Sequence, residues 1–196
     1  TPKTKSALLE GMAEGQVTIE NETHVLPSPF FVMATQNPLD LVGTYPLPDS
    51  QLDRFLLSFS IGYPDPAAER ELLVAEDRAR ILDRTSAMLS PEDILALQED
   101  CENIHVSENL LDYIQALLLE TRDDRWFESG LSPRAGLALL RASRALAFLE
   151  NRDFVTPEDI KTVFPGFCRH RLSPTSGFSQ SPDEQINELL SQVPIP

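Results

Sequence analysis

The sequence predicts an α/β segment followed by an all-α domain. Three observations carry this expectation. Two runs are rich in apolar residues, Phe30-Phe31-Val32-Met33-Ala34, which does not alternate, and Phe55-Leu56-Leu57-Ser58-Phe59-Ser60-Ile61; a break follows at Gly62-Tyr63-Pro64-Asp65-Pro66; and the chain beyond it reads as helix. Runs that are apolar at successive positions suit strands buried on both faces, as in a parallel sheet covered by helices.

Taken in order, residues 5–14 read as a short helix with Leu8, Leu9 and Met12 on one side, stopping at Gly15. Val17 and Ile19 then alternate with polar residues, Asn21-Glu22 offers a turn, and His24 to Leu26 returns toward Pro27, so 16–26 read as a β-hairpin. The first apolar run delivers Gln36-Asn37-Pro38 at its carboxyl end, and the turn-rich stretch Gly43 to Pro48 and a short helix lead into the second run. Beyond it, Asp65-Pro66, Ser90-Pro91, Ser132-Pro133, Thr156-Pro157 and Ser181-Pro182 each pair an N-cap residue with a proline at the first helical position. Asp93, Asp159 and Glu184 stand three positions after their caps, as in a capping box.

A further helix begins near Ser107, with Leu110, Ile114, Leu117 and Leu118 as its stripe. In the helix from Ser132, Ala135, Leu139, Ala142, Leu146 and Leu149 recur at spacings of three and four, making a packing face. Phe164 to Gly177, rich in Pro, Ser and Gly, reads as a surface loop before a last short helix around Ile186 to Leu190. The expected division is 1–65 for the α/β part, 66–163 for the helical domain and 164–196 for the loop and terminal helix.

With 196 residues and 41% hydrophobic content the chain can build a real core. Its 31 acidic and 16 basic residues give a formal charge of -15, which opposes non-specific attachment to nucleic acid or anionic membrane. No segment approaches the roughly 20 apolar residues of a membrane span, and Thr1-Pro2-Lys3-Thr4-Lys5 lacks the apolar core of a signal peptide. Two cysteines, Cys101 and Cys168, fit a reducing compartment, so a cytoplasmic location is expected. The missing initiator Met fits a chain cut from a longer protein.

Three residues stand out for chemistry. Asn37 ends an apolar run before Pro38; an amide at the carboxyl edge of a sheet can donate to a phosphate oxygen and accept from a water, although Asn-Pro in isolation simply starts a turn. Arg54 lies at a helix end just ahead of the second run. An arginine there can reach a neighbouring subunit and neutralise charge on a transferring phosphoryl group, or pair with Asp53 as an ordinary helix arginine. Arg134 puts a cation in the first turn of a helix, where the dipole disfavours it by roughly 0.3 to 1 kcal/mol. A bound anion would remove that penalty; a tolerated exposed arginine is the equal alternative.

Other chemistry has less support. Cys101 with His105 and Cys168 with His170 match no common zinc spacing, and Cys101 falls on the Ile94, Leu97 stripe, where a thiol acts as a small hydrophobe. No G-x-x-x-x-G-K-[ST], G-x-S-x-G or H-E-x-x-H occurs, so a self-contained hydrolase is not expected.

Five motifs in order make a specific resemblance: Pro2-Lys3-Thr4-Lys5-Ser6-Ala7-Leu8-Leu9-Glu10, Gln16-Val17-Thr18-Ile19, Ala34-Thr35-Gln36-Asn37-Pro38, Gly43-Thr44-Tyr45-Pro46-Leu47-Pro48 and Gln51-Leu52-Asp53-Arg54-Phe55. Over residues 1–65 the chain resembles the MoxR family of AAA+ ATPases, and the remainder is similar to that family's lid, with Leu131-Ser132-Pro133-Arg134-Ala135 resembling its arginine-bearing helix start. The resemblance implies the C-terminal half of a AAA+ P-loop-type parallel sheet domain followed by a small helical lid. It implies Asn37 as the sensor-1 amide, Arg54 as the arginine finger acting on the next subunit's ATP, Arg134 as the sensor-2 arginine, and 16–26 as a pore-facing hairpin. It places the Walker A and Walker B elements, with the Mg2+ ligands, upstream of this chain.

For the intact protein the resemblance implies binding and hydrolysis of ATP with Mg2+ in a homo-oligomeric ring, expected to be a hexamer. Chaperone-like maturation of a client protein, often one with a von Willebrand factor A domain, would follow. This chain alone is expected to be inactive. The rival expectation is a non-enzymatic acidic interaction module; a DNA-binding helical domain would rest only on a strip such as Arg134, Arg141 and Arg144.

Overall fold

The computed structural model describes residues 8–12, 14–36, 48–175 and 181–195. The predicted order of an α/β segment and then helices holds, but the strand content of the described residues is confined to one hairpin.

β1 (Gln16–Ile19) and β2 (Glu22–Val25) pair antiparallel, Gln16 opposite Val25 and Ile19 opposite Glu22. The expected hairpin is present, one residue earlier at its turn: Glu20 and Asn21 both take positive φ, the two-residue connection whose twist matches the strands. Residues 8–12 are helical, and Glu10 ties them to the hairpin by accepting from the Thr18 hydroxyl at 2.7 Å and its amide at 3.3 Å. Leu9 is buried and Leu8 is exposed.

The two apolar runs are not strands. Residues 30–34 and 55–61 have no ladder partners, and Phe31 (77%), Met33 (84%), Phe59 (75%) and Ile61 (86%) are exposed. A strand buried on both faces exists only with neighbours on its edges and helices on its faces, and the described residues supply neither. Gly43 to Leu47 and Asn37 lie outside the described residues, whereas the short helix Asp49–Leu52 is present.

Every predicted cap is realised. Asp65, Ser90, Ser107, Ser132, Thr156 and Ser181 each accept amide hydrogen bonds at the start of Pro66–Val74, Pro91–Glu102, Glu108–Glu120, Pro133–Leu149, Pro157–Cys168 and Pro182–Gln192, and the capping boxes with Asp93, Asp159 and Glu184 close. A short helix not foreseen, Arg78–Asp83, starts from Asp77.

The core lies between the helices Glu108–Glu120, Pro133–Leu149, Pro157–Cys168 and Pro182–Gln192, with Leu117, Leu139, Ile160, Phe164, Phe167, Ile186 and Leu189 inaccessible to solvent. Pro66–Val74 and Pro91–Glu102 bury no residue, so the packed part of the helical domain begins near Ile104. The Ser107 stripe is inward as expected, together with Tyr113. In Pro133–Leu149, Ala135, Leu139 and Ala142 are buried as read, but Leu149 is exposed and Ala147 takes the inner place. At Gly136 a Cβ would lie 2.6 Å from Leu118 Cδ1, so this glycine lets the two helices approach.

The first part of the loop expected over 164–177, through Cys168, is helix, and 169–175 follow without helix. Pro157–Cys168 runs through Pro165 and Gly166, and the boundary expected after residue 163 falls inside it. Burial of Phe164, Phe167 and Cys168 outweighs the amide that Pro165 lacks.

Candidate functional site

Arg54 lies two residues past a helix end. The helix Asp49–Leu52 stops, the amides of Arg54 and Phe55 close turns onto Gln51 and Leu52 at 3.3 and 3.0 Å, and the exposed Arg54 side chain donates through Nη1 to the Leu9 carbonyl at 3.0 Å.

The residue that holds this segment was not singled out from the sequence. Arg171 lies just past the Pro157–Cys168 helix, its side chain 4% exposed. Its Nε donates to Asp53 Oδ1 at 2.8 Å, Nη1 to the carbonyls of Leu56 (3.1 Å) and Phe167 (2.7 Å), and Nη2 to those of Asp53 (3.1 Å) and Phe55. All five guanidinium N–H groups are thereby used. The same guanidinium lies over the Phe167 ring, 4.0 Å from its centre. Burial lowers the Arg171 pKa while Asp53 raises it, and the group stays cationic.

Two further bonds reinforce the contact. Ser58 N–H donates to the Gly166 carbonyl at 2.8 Å, and His170 Nε2 meets the Phe55 carbonyl at 2.8 Å. Because that carbonyl only accepts, Nε2 carries the proton. Burial pushes the His170 pKa down, its bond to Phe55 pushes up, Arg171 down and Asp53 up, with a net lowering, so the ring is neutral near pH 7. Gly166 suits the close approach, since a Cβ there would sit 3.3 Å from the Ser58 carbonyl oxygen.

Arg134 is exposed in the first turn of Pro133–Leu149. The helix start beside it is fastened from behind: Leu131 N–H donates to the buried Thr121 hydroxyl at 3.1 Å, Arg122 Nε donates to the Leu131 carbonyl at 3.0 Å, and Ser132 Oγ accepts from Ala135 N–H at 3.1 Å. An open groove of about 420 Å³ adjoins it, lined in part by Leu118, Pro133, Gly136, Leu137 and Leu140. An arginine held out to solvent at a helix N-terminus can meet an anion with both guanidinium and backbone amides.

Of the three sequence candidates, then, Arg54 and Arg134 are exposed, each on a segment held by hydrogen bonds, and Asn37 lies outside the described residues. Among the described residues no cluster of three His, Cys, Asp or Glu could hold a metal ion; Cys168 is in the core and His170 is bonded to Phe55. Along the candidate basic strip, Arg134 and Arg141 are exposed while Arg144 is half-buried. No helix of the described residues is long and apolar enough to cross a membrane.

Both parts of the chain match known families. The model for the ATPase family associated with various cellular activities (AAA) matches residues 1–57, and that for the AAA lid domain matches residues 119–190. The chain is 40% identical over 199 residues to the uncharacterized protein YeaC of Bacillus subtilis, covering 100% of this chain and 62% of that protein. It is 40% identical over 210 residues to the chaperone MoxR1 of Mycobacterium tuberculosis (99% and 54%) and 30% identical over 218 residues to the protein MoxR of Methylorubrum extorquens (100% and 63%). A crystal structure of a candidate ATPase from Cytophaga hutchinsonii superposes with a TM-score of 0.86 at 35% identity, covering 100% of this chain and 63% of that one. The chain thus spans about three fifths of the length of the relatives it matches.

Proposed function

Since the chain belongs to the MoxR family of AAA+ ATPases, we propose that the intact protein hydrolyses ATP at the interfaces of a homo-oligomeric ring, a hexamer, and uses the cycle to remodel a client protein. The observation that carries this reading is the presentation of Arg54: its side chain is exposed while the backbone on both sides of it is held by a buried guanidinium. An arginine that must reach a neighbouring subunit's ATP needs this combination of an exposed side chain and a fixed base.

In this reading Arg54 neutralises charge developing on the transferred phosphoryl group of the adjacent subunit. Arg134 contacts phosphate from the lid side, and Asn37 orients the attacking water. Mg2+, when bound with ATP, would supply positive charge to offset that of the phosphates; among the described residues no cluster of three His, Cys, Asp or Glu could hold it. The exposed Phe31, Met33, Phe59 and Ile61 support a core completed by further strands in the intact protein. A client bearing a von Willebrand factor A domain belongs to the same proposal, supported by the family and by a relative named as a chaperone.

The deciding experiment is Arg54→Ala in the intact protein, expected to abolish turnover while ATP binding persists. Wild-type turnover in that variant overturns the assignment. The 196-residue chain by itself lacks G-x-x-x-x-G-K-[ST] and is proposed to show no magnesium-dependent ATP hydrolysis.

A further inference from the structure

We propose that Arg171 is a positioning residue for Arg54, transmitting the position of the helical domain to the arginine that acts on the neighbouring subunit's ATP; this rests on the reading of Arg54 given above. The acceptors of Arg171 include the carbonyls of Asp53 and Phe55, the residues immediately before and after Arg54. Its remaining bonds go to the Asp53 carboxylate, to Leu56, and to Phe167 in the helix that carries it.

The base of this fork is set in the core. Phe167 and Cys168 are inaccessible, Leu172 is buried, and the Phe167 ring lies against the guanidinium. A buried cation is costly unless its donors are satisfied, and here carbonyls and one carboxylate satisfy all of them. Planar, multiply bonded contact fixes orientation as well as distance, which an apolar anchor or a lysine would not do. Among the described residues the Arg54 side chain bonds to the Leu9 carbonyl, while the chain on either side of it is held by Arg171.

The second tie, from Ser58 N–H to Gly166, makes the contact continuous from Asp53 to Ser58. Any rotation of the Pro157–Cys168 helix must therefore carry the peptide of Arg54 with it. The helix packs directly against Pro133–Leu149, which presents Arg134, so the two outward arginines share one mechanical support.

The test uses the intact ring-forming protein with Arg54→Ala, Arg171→Met and the double variant. Steady-state kcat and KM for ATP, affinity for a fluorescent ATP analogue, and melting temperature are read for each. Arg171→Met is expected to lower kcat on the order of 10- to 100-fold, as misplacement of a catalytic group by about 1 Å does, with analogue affinity unchanged. The double variant is expected to match Arg54→Ala, without turnover and with analogue affinity retained, because Arg171 acts through Arg54.

Wild-type kcat in Arg171→Met, with Arg54→Ala inactive, overturns the positioning role and leaves the proposed function standing. A loss of analogue affinity or of melting temperature in Arg171→Met that accompanies the fall in kcat also overturns it, marking a general structural role. Wild-type turnover in Arg54→Ala removes both proposals. If Arg171→Met does not fold, Asp53→Asn replaces it: a several-fold fall in kcat at unchanged analogue affinity supports the role, and unchanged kcat overturns it.

Discussion

The Asp53 carboxylate and the Arg171 guanidinium meet at 2.8 Å although 118 residues separate them, joining the turn that carries Arg54 to the far end of the helical core. Removing the carboxylate tests how much of that joint is ionic. Asp53→Ala is expected to weaken docking of the 53–58 segment by about 1–3 kcal/mol, the range for hydrogen bonds to charged groups. Amide exchange at Ser58 and trypsin cleavage after Arg54 should both accelerate; unchanged protection at Ser58 would mean that the carbonyl bonds suffice.

Gly130 governs how the Arg134 helix begins. A Cβ there would lie 2.6 Å from Arg122 Cα and 2.8 Å from its amide nitrogen, so the obstruction is backbone and cannot rotate away. Gly130→Ala is expected to cost about 1–3 kcal/mol in urea denaturation. Gly136→Ala should cost less, since its obstacle is the movable Leu118 Cδ1 and a helical alanine gains about 1 kcal/mol over glycine. Equal losses for the two would contradict this distinction.

Asp159 sets an acid limit on the helical domain. Burial pushes its pKa up, but the bonds from Arg152 and from the Thr156 backbone and hydroxyl pull it further down. The unfolded chain therefore binds more protons between the folded and unfolded pKa values. Stability from this group is complete above the unfolded value of about 3.9 and is lost as pH falls through the folded value. Asp159→Asn is expected to cost about 2–3 kcal/mol at pH 7, and its deficit relative to wild type should shrink below about pH 4. A deficit independent of pH would sink this explanation.

His170 acts in a higher window and in the same direction. Its lowered pKa means that the unfolded chain takes up the proton first, so stability falls as pH drops from about 6.5 toward the folded value. The melting temperature of wild type should decline from pH 7.5 to 5.5, and His170→Gln, which retains a donor for the Phe55 carbonyl, should show a shallower decline. Parallel curves would assign the slope to other groups.

Much of the helical half was legible because its signals are local. A cap residue followed by proline and then an acidic residue specifies a helix start within four positions, and Ser90, Thr156 and Ser181 all behave so. Pro165 misled because its local cost was visible whereas the burial of Phe164 and Phe167 that offsets it was not. The runs at 30–34 and 55–61 carry a strand pattern, but pairing depends on partners that the described residues do not provide. Arg54 and Arg134 could be found from their place beside a helix end. Arg171 could not, since nothing near it in sequence marks a side chain whose principal acceptors lie at residues 53–56.

The fate of the two thiols gives the molecule a built-in optical ruler. Cys168 lies in the core with its thiol pushed far up by burial, whereas Cys101 is only half-buried at the end of the Pro91–Glu102 helix, its thiol raised by burial and by Asp100. A maleimide dye in mildly alkaline buffer would therefore mark Cys101 alone. The single tryptophan, Trp126, is fixed in the core with its indole N–H on Glu120. Energy transfer from Trp126 to a dye on Cys101 would follow the Pro91–Glu102 helix relative to the core without any engineered residue.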